Sequence, residues 1–161
     1  MDMLVNLHSQ HLAELGRRVD AGAARIRPAL PPELHIIQDW VRDKFSDYWV
    51  SEVMVAMARQ PPSCLVATLD GALVGFACYD TTARGFFGPT GVSETHRGKG
   101  IGQALLYHTM MAMKSQGYAY AVIGAVGPAD FYTSAVGAVP IPGNESIYRD
   151  LLRVRKGLEN Q

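Results

Sequence analysis

Between Val92 and Gly102 the chain reads Val-Ser-Glu-Thr-His-Arg-Gly-Lys-Gly-Ile-Gly, with glycines alternating at 98, 100 and 102 and cations at Arg97 and Lys99. Glycine has no Cβ, so its backbone N–H groups can close around a ligand that any side chain would obstruct. An extended apolar stretch precedes the run, and a helical pattern begins near Ile101. The amides therefore fall at a helix start, where unsatisfied donors and the positive end of the helix dipole favour an anion. This chemistry is that of a pyrophosphate cradle.

Spacing then separates the known cradles. A P-loop requires a glycine where Ser93 stands and a hydroxyl residue where Gly100 stands. The dinucleotide fingerprint requires glycine at Gln103 or Leu105, according to its starting point. What remains is Arg97-Gly-Lys-Gly-Ile-Gly102, of the form Arg-x-x-Gly-x-Gly. It resembles the acetyl-CoA-binding loop of the GNAT acetyltransferase superfamily, and with the flanking pattern the resemblance covers roughly residues 24–152.

The resemblance implies an acetyl-CoA-dependent N-acetyltransferase whose acceptor is an amine, on a small molecule or a protein. It implies that backbone near Thr90 and Val92 pairs with the pantetheine arm and orients the thioester. It also implies that amides from Arg97 through Gly98, Lys99, Gly100, Ile101 and Gly102 hold the pyrophosphate, with Ile101 seating the helix on the sheet. Tyr132 matches the tyrosine that serves as general acid in many members. Two departures accompany that match: Gly137 follows Tyr132 by five residues instead of the usual four, and Ala125 stands where asparagine is frequent. For the base, Glu94 is carried with Tyr132 as the catalytic candidate, while His96, Asp80 and Glu52 stay open as alternatives. A non-catalytic acyl-CoA-binding module is the competing reading. Dimers are common in the family, so a homodimer is a further expectation.

Composition bounds the rest. With 161 residues, 48% hydrophobic and 19% charged, the chain suits one soluble domain with a sizeable core. Its formal net charge is zero, which argues against nucleic acid or a membrane surface as the main partner. No apolar run is long enough to span a bilayer and no signal-peptide layout opens the chain, so a cytoplasmic location is expected. No metal site is expected either: His8 and His11, at i and i+3, read as solvated helix histidines.

The elements that must position these residues follow from periodicity. Leu4, Leu7, Leu12, Leu15 and Val19 predict a helix over residues 3–20. Residues 24–28 read as a short strand, and two helices with a break near Ser46 carry Trp40, Phe45, Tyr48 and Trp49. Asp70-Gly71 turns a hairpin of strands 64–69 and 73–79. If those two residues alone form the loop, Cys64 faces Ala77 and Cys78 points to the opposite face, giving two packed thiols and no disulfide. Strand 86–92 leads into the glycine run, and Ile101, Ala104, Leu105, Met111 and Ala112 mark the apolar side of the next helix. A buried strand at 118–124, a short helix opened by Pro128 and a final hairpin over 137–152, turning at Gly143-Asn144, complete the chain.

This order predicts an α/β fold like that of the GNAT family: a mixed, mostly antiparallel sheet, with a central splayed parallel pair flanked by helices. Residues 1–23 are expected as an N-terminal helical extension, 24–155 as the single domain and 156–161 as a short tail.

Overall fold

The computed structural model describes residues 1–143 and 145–154. Its seven strands are β1 (Met3–Asn6), β2 (Arg25–Pro28), β3 (Cys64–Leu69), β4 (Ala72–Tyr79), β5 (Phe86–Val92), β6 (Tyr120–Ile123) and β7 (Val139–Pro140). They form one sheet in the order β2-β3-β4-β5-β6-β1-β7. All neighbouring pairs are antiparallel except β5 and β6, which run parallel. Five α-helices cover both faces: α1 (Gln10–Arg18), α2 (Leu34–Lys44), α3 (Asp47–Met57), α4 (Ile101–Ser115) and α5 (Ala129–Val136). The expected mixed α/β architecture is therefore present.

Strand alternation divides the core between the two faces. Leu65 and Ala67 of β3 join Leu12, Leu105, Met110, Ile123 and Tyr132 under α1, α4 and α5. Cys64 and Val66 join Ile37, Val41, Val53 and Phe76 under α2 and α3. The break between α2 and α3 is set by Ser46, whose hydroxyl accepts the Trp49 N–H at 3.4 Å and caps the second helix. The buried side of α4 passes through Leu105, Thr109 and Met113, while Met111 and Ala112 lie at its margin and remain partly exposed.

Three expectations are corrected. Residues 3–20 are not one helix. Met3 and Val5 are buried on alternate positions, and β1 pairs antiparallel with both β6 and β7. Ser9 then caps α1 by accepting the Leu12 N–H at 3.2 Å. Met3, Val5 and Leu7 fit a period of two as readily as Leu4 and Leu7 fit a helical one, and the partner strand that decides between them lies far along the sequence. Residues 1–23 are thus not a helical extension, because their strand sits inside the sheet. The final hairpin is also absent: β7 is two residues long, and 147–152 form turns and irregular backbone among the described residues. Asn144 of its expected turn lies outside the described residues. β1 occupies the sheet position between β6 and β7.

The third correction concerns the cysteines. A register shift between Ala67 and Thr68 places Cys64 opposite Cys78, not Ala77. The bulge inserts one residue into the ladder, and a one-residue slip exchanges the faces of everything beyond it. Both thiols are free and fully buried on the same face.

No helix among the described residues is long and apolar enough to cross a membrane.

Candidate active site

The site is organised by a fork in the sheet. β5 and β6 pair only at Phe86–Val122 and Phe87–Ile123, although β5 continues to Val92. Beyond Phe87 the ladder between β4 and β5 shifts: Tyr79 faces Phe87, but Ala77 faces Thr90. Gly88 and Pro89 therefore oppose Cys78 alone, which is a bulge, and a bulge bends its strand. Gly88 has φ +115°, a conformation open to glycine, and Pro89 offers no N–H to the ladder. The outer part of β5 leaves β6 at this point. Thr90 is tied back to β4 by its hydroxyl, which donates to the Phe76 carbonyl at 3.0 Å.

The glycine run begins where β5 ends. Glu94–His96 forms a 3-10 turn, and α4 starts at Ile101 with Gly100 as its cap at φ +82°. The first helical bond runs from the Ala104 N–H to the Gly100 carbonyl at 3.1 Å. Among the described residues, the N–H groups from Gly98 to Gln103 have no protein acceptor. They border a groove of roughly 360 Å³ lined by Val92, His96, Arg97 and the three glycines, with Phe131 of α5 on its other side. A Cβ at Gly98 would meet nothing within 4 Å, and one at Gly102 would meet only Val92 at 3.8 Å. Unpaired amides around open space fit a pyrophosphate. Ile101 is 2% exposed and anchors the helix in the core. Arg97 turns back along the groove, its Nε donating to the Val92 carbonyl at 3.2 Å, while Lys99 is exposed. His96 accepts or donates at Nδ1 with the buried Ser93 hydroxyl at 2.6 Å.

Tyr132 stands on the α4 and α5 face of the fork. Its ring packs edge-on against Phe87, the last paired residue of β5, with centroids 6.2 Å apart. Burial pushes its phenol up to about 12, so it is a protonated hydroxyl across the working range. The hydroxyl has no hydrogen-bond partner among the described residues, yet it is not sealed from solvent. The five-residue spacing to Gly137 is absorbed by regular helix: the Gly137 N–H donates to the Thr133 carbonyl at 3.0 Å, and Gly137 adopts φ +66° as an αL cap. The Ala125 N–H is held by the Asp2 carboxylate at 2.9 Å, which ties the loop after β6 to the residue before β1.

The four acidic or basic candidates fall in different places. Glu94 is exposed on the 3-10 turn, beyond the outer end of β5. His96 is engaged with Ser93. Asp80 is buried and structural: it receives the Tyr118 hydroxyl at 3.0 Å and the Gly85 N–H at 2.8 Å, and pairs with Arg59 at 3.4 Å. Glu52 alone lies at the fork. It accepts the Thr82 hydroxyl, and Thr82 in turn accepts the Tyr148 hydroxyl at 2.9 Å. Burial is the main influence on its carboxyl, raising it above the ordinary carboxylate range against the opposing bond from Thr82. Sequence reasoning named Glu52 but not Tyr148 or the threonine pair, whose contacts join segments with no local pattern.

Comparison with known proteins agrees with this geometry. The acetyltransferase (GNAT) family model matches residues 30–135. No curated protein matches the chain. Among solved structures, the GCN5-related N-acetyltransferase from Sphaerobacter thermophilus shares 21% identity over 86% of this chain and 47% of its own, with a TM-score of 0.62. A glucosamine N-acetyltransferase region of a fungal multi-domain GH3 beta-N-acetylglucosaminidase gives 15% identity and a TM-score of 0.63, over 84% of this chain and 19% of that one. The GNAT N-acetyltransferase YhbS from Escherichia coli, solved in complex with CoA, shares 25% identity over 60% of this chain and 59% of its own, with a TM-score of 0.50. The chain thus spans less than two-thirds of the length of each of these three.

Proposed function

The chain belongs to the GNAT acetyltransferase family, and from that premise we propose that it transfers an acetyl group from acetyl-CoA to an amine by direct attack. The observation that carries this reading is the fork between β5 and β6, with unpaired amides at one end and the Tyr132 phenol against Phe87.

Acetyl-CoA supplies an activated thioester. The amides of Gly98 to Gly102 hold its pyrophosphate, assisted by the positive end of α4, whereas the expected Arg97 N–H is already given to the Glu94 carbonyl at 3.4 Å. Exposed Lys99 adds charge near the nucleotide. The backbone of Thr90 and Val92, freed from β6 by the bulge, pairs with the pantetheine arm. An amide on this strand polarises the acetyl carbonyl as negative charge develops on its oxygen. Tyr132 keeps its proton until a thiolate departs, then donates it. The amine's own proton goes to an acidic group, with Glu94 reaching it only through water from the exposed turn.

The test is acceptor-dependent release of CoA across a panel of small amines and peptide amines. Release that requires both acetyl-CoA and an amine supports transfer. Tight acetyl-CoA binding by calorimetry with no release above background would instead identify a binding module and end the enzymatic reading.

A further inference from the structure

Two tethers place Glu52 at the mouth of the fork. On one prong, Thr81 donates its hydroxyl to the carbonyl of Gly88, the first residue of β5 to leave β6. On the other prong, Tyr148 covers Gly124, the first residue beyond the last pair of β6. A Cβ at Gly124 would meet Tyr148 Cε2 at 2.8 Å and Phe86 Cε2 at 3.0 Å. Phe86 alternates with Phe87, so this is the face opposite Tyr132. Thr82 receives the Tyr148 hydroxyl and gives its own to Glu52, which projects from α3. The segment bearing Tyr148 is also fastened to α3 directly, where the Tyr48 hydroxyl donates to the Leu152 carbonyl at 2.9 Å. A half-buried carboxylate thus spans the opening on the α3 side while the phenol stands on the α5 side.

Glu52 is available for a ligand. No lysine, arginine or histidine lies within ion-pair distance of it among the described residues. The titratable groups facing the cluster are the Cys78 thiol of β4 and the Tyr148 phenol, which Asp2 also approaches. These are acids, so among the described residues no cation within ion-pair distance offsets the carboxylate. A partly desolvated carboxylate without a counter-ion attracts an ammonium group more strongly than an exposed one.

Resting on the acetyl-transfer reading, we propose that Glu52 receives the ammonium form of the acceptor and takes its proton, with Thr82 and Tyr148 positioning the carboxylate. The acceptor class is then an amine that arrives charged. One proton passes from the ammonium to Glu52, the freed lone pair forms the C–N bond, the nitrogen then gives its second surplus proton to water, and the C–S bond breaks. The departing thiolate takes the proton of Tyr132 from the other face. Solvent later reprotonates the phenolate and removes the proton from Glu52.

The experiment is the pH dependence of kcat/KM for wild type, Glu52→Gln and Tyr148→Phe, with acetyl-CoA affinity by calorimetry and melting curves alongside. The wild type should lose activity on the acidic side as Glu52 protonates. Glu52→Gln should remove that limb and lower kcat/KM roughly 100-fold, leaving acetyl-CoA affinity within about twofold because Glu52 lies outside the amide cradle. Tyr148→Phe deprives Thr82 of a donor, weakens its bond to the carboxylate and should move the acidic limb to higher pH. A merely structural role for Tyr148 would not move it. Should Glu52→Gln melt early, Glu52→Asp keeps the charge but withdraws it, and should retain the limb at a lower rate. Wild-type turnover undiminished in both Glu52 variants overturns the assignment while leaving the transferase reading intact. No release of CoA by wild type with any amine overturns both.

Discussion

Gly100 lies against the carbonyl oxygen of Asp20, so close that a Cβ would collide with it. The middle glycine of the 98–102 run is therefore demanded by the packing of the loop before α4 on the chain after α1. Its φ of +82° adds a second reason. Replacing Gly100 with valine should destabilise the fold by about 2 kcal/mol or more, read as a fall in melting temperature without ligand. Loss of acetyl-CoA binding in that variant says nothing about the cradle.

Gly102 separates the two effects. It has ordinary helical backbone, and an added Cβ finds only a van der Waals neighbour. Gly102→Leu should leave the melting temperature unchanged or slightly raised, because leucine favours a helix by up to about 1 kcal/mol over glycine. Its longer side chain should obstruct the amides and weaken acetyl-CoA by roughly tenfold or more, about 1.4 kcal/mol. Unaltered affinity by calorimetry would remove the cradle from the binding site.

Tyr132→Phe removes one hydroxyl that has no protein partner among the described residues, so stability should hold. Turnover should fall roughly 100-fold, the ordinary scale of general acid catalysis, with acetyl-CoA affinity nearly intact. Because burial holds the phenol up to about 12, it keeps its proton, and kcat should show no alkaline decline below about pH 10 from this group. Unchanged turnover would exclude Tyr132 as the proton donor.

Arg27 and Glu33 form a two-point pair, 2.8 Å and 2.6 Å between their nitrogens and oxygens, and Glu33 also caps the Leu30 N–H at 2.7 Å. The Arg27 bond is the main cause that brings the Glu33 carboxyl from 4.5 to about 2. A carboxyl lowered on folding stabilises above its unfolded value and loses that contribution as pH falls through the folded one. Glu33→Gln should cost about 1 kcal/mol near neutral pH, since partial exposure screens the pair. Urea titrations should show the difference shrinking between pH 4.5 and about 2.

Cys64 and Cys78 face each other in the core, and burial first, then Cys64, pushes the Cys78 thiol well up. Neither thiol should react with a maleimide in the folded protein, and both should react in denaturant. Rapid labelling of the native chain would contradict the packing of the α2 and α3 face.

The sequence by itself determined the elements whose instructions are local. Asp70-Gly71 turns its hairpin, Ser46 divides two helices, and glycine spacing at 98, 100 and 102 marks a strand-to-helix cradle. The same residues pointed to the family, because their spacing resembles its glycine loop, and the family model matches residues 30–135. Tertiary structure decided what depends on distant partners. Met3–Asn6 became a strand only because β6, more than a hundred residues later, offers its free edge. A single bulge near Ala67 turned Cys64 toward Cys78, which no turn rule anticipates. Glu52 acquired its setting from Thr82 and Tyr148, residues 30 and 96 positions away that no periodicity connects to it. Local backbone preferences are written within a few residues, whereas a site at a fork exists only once two strands have paired and parted.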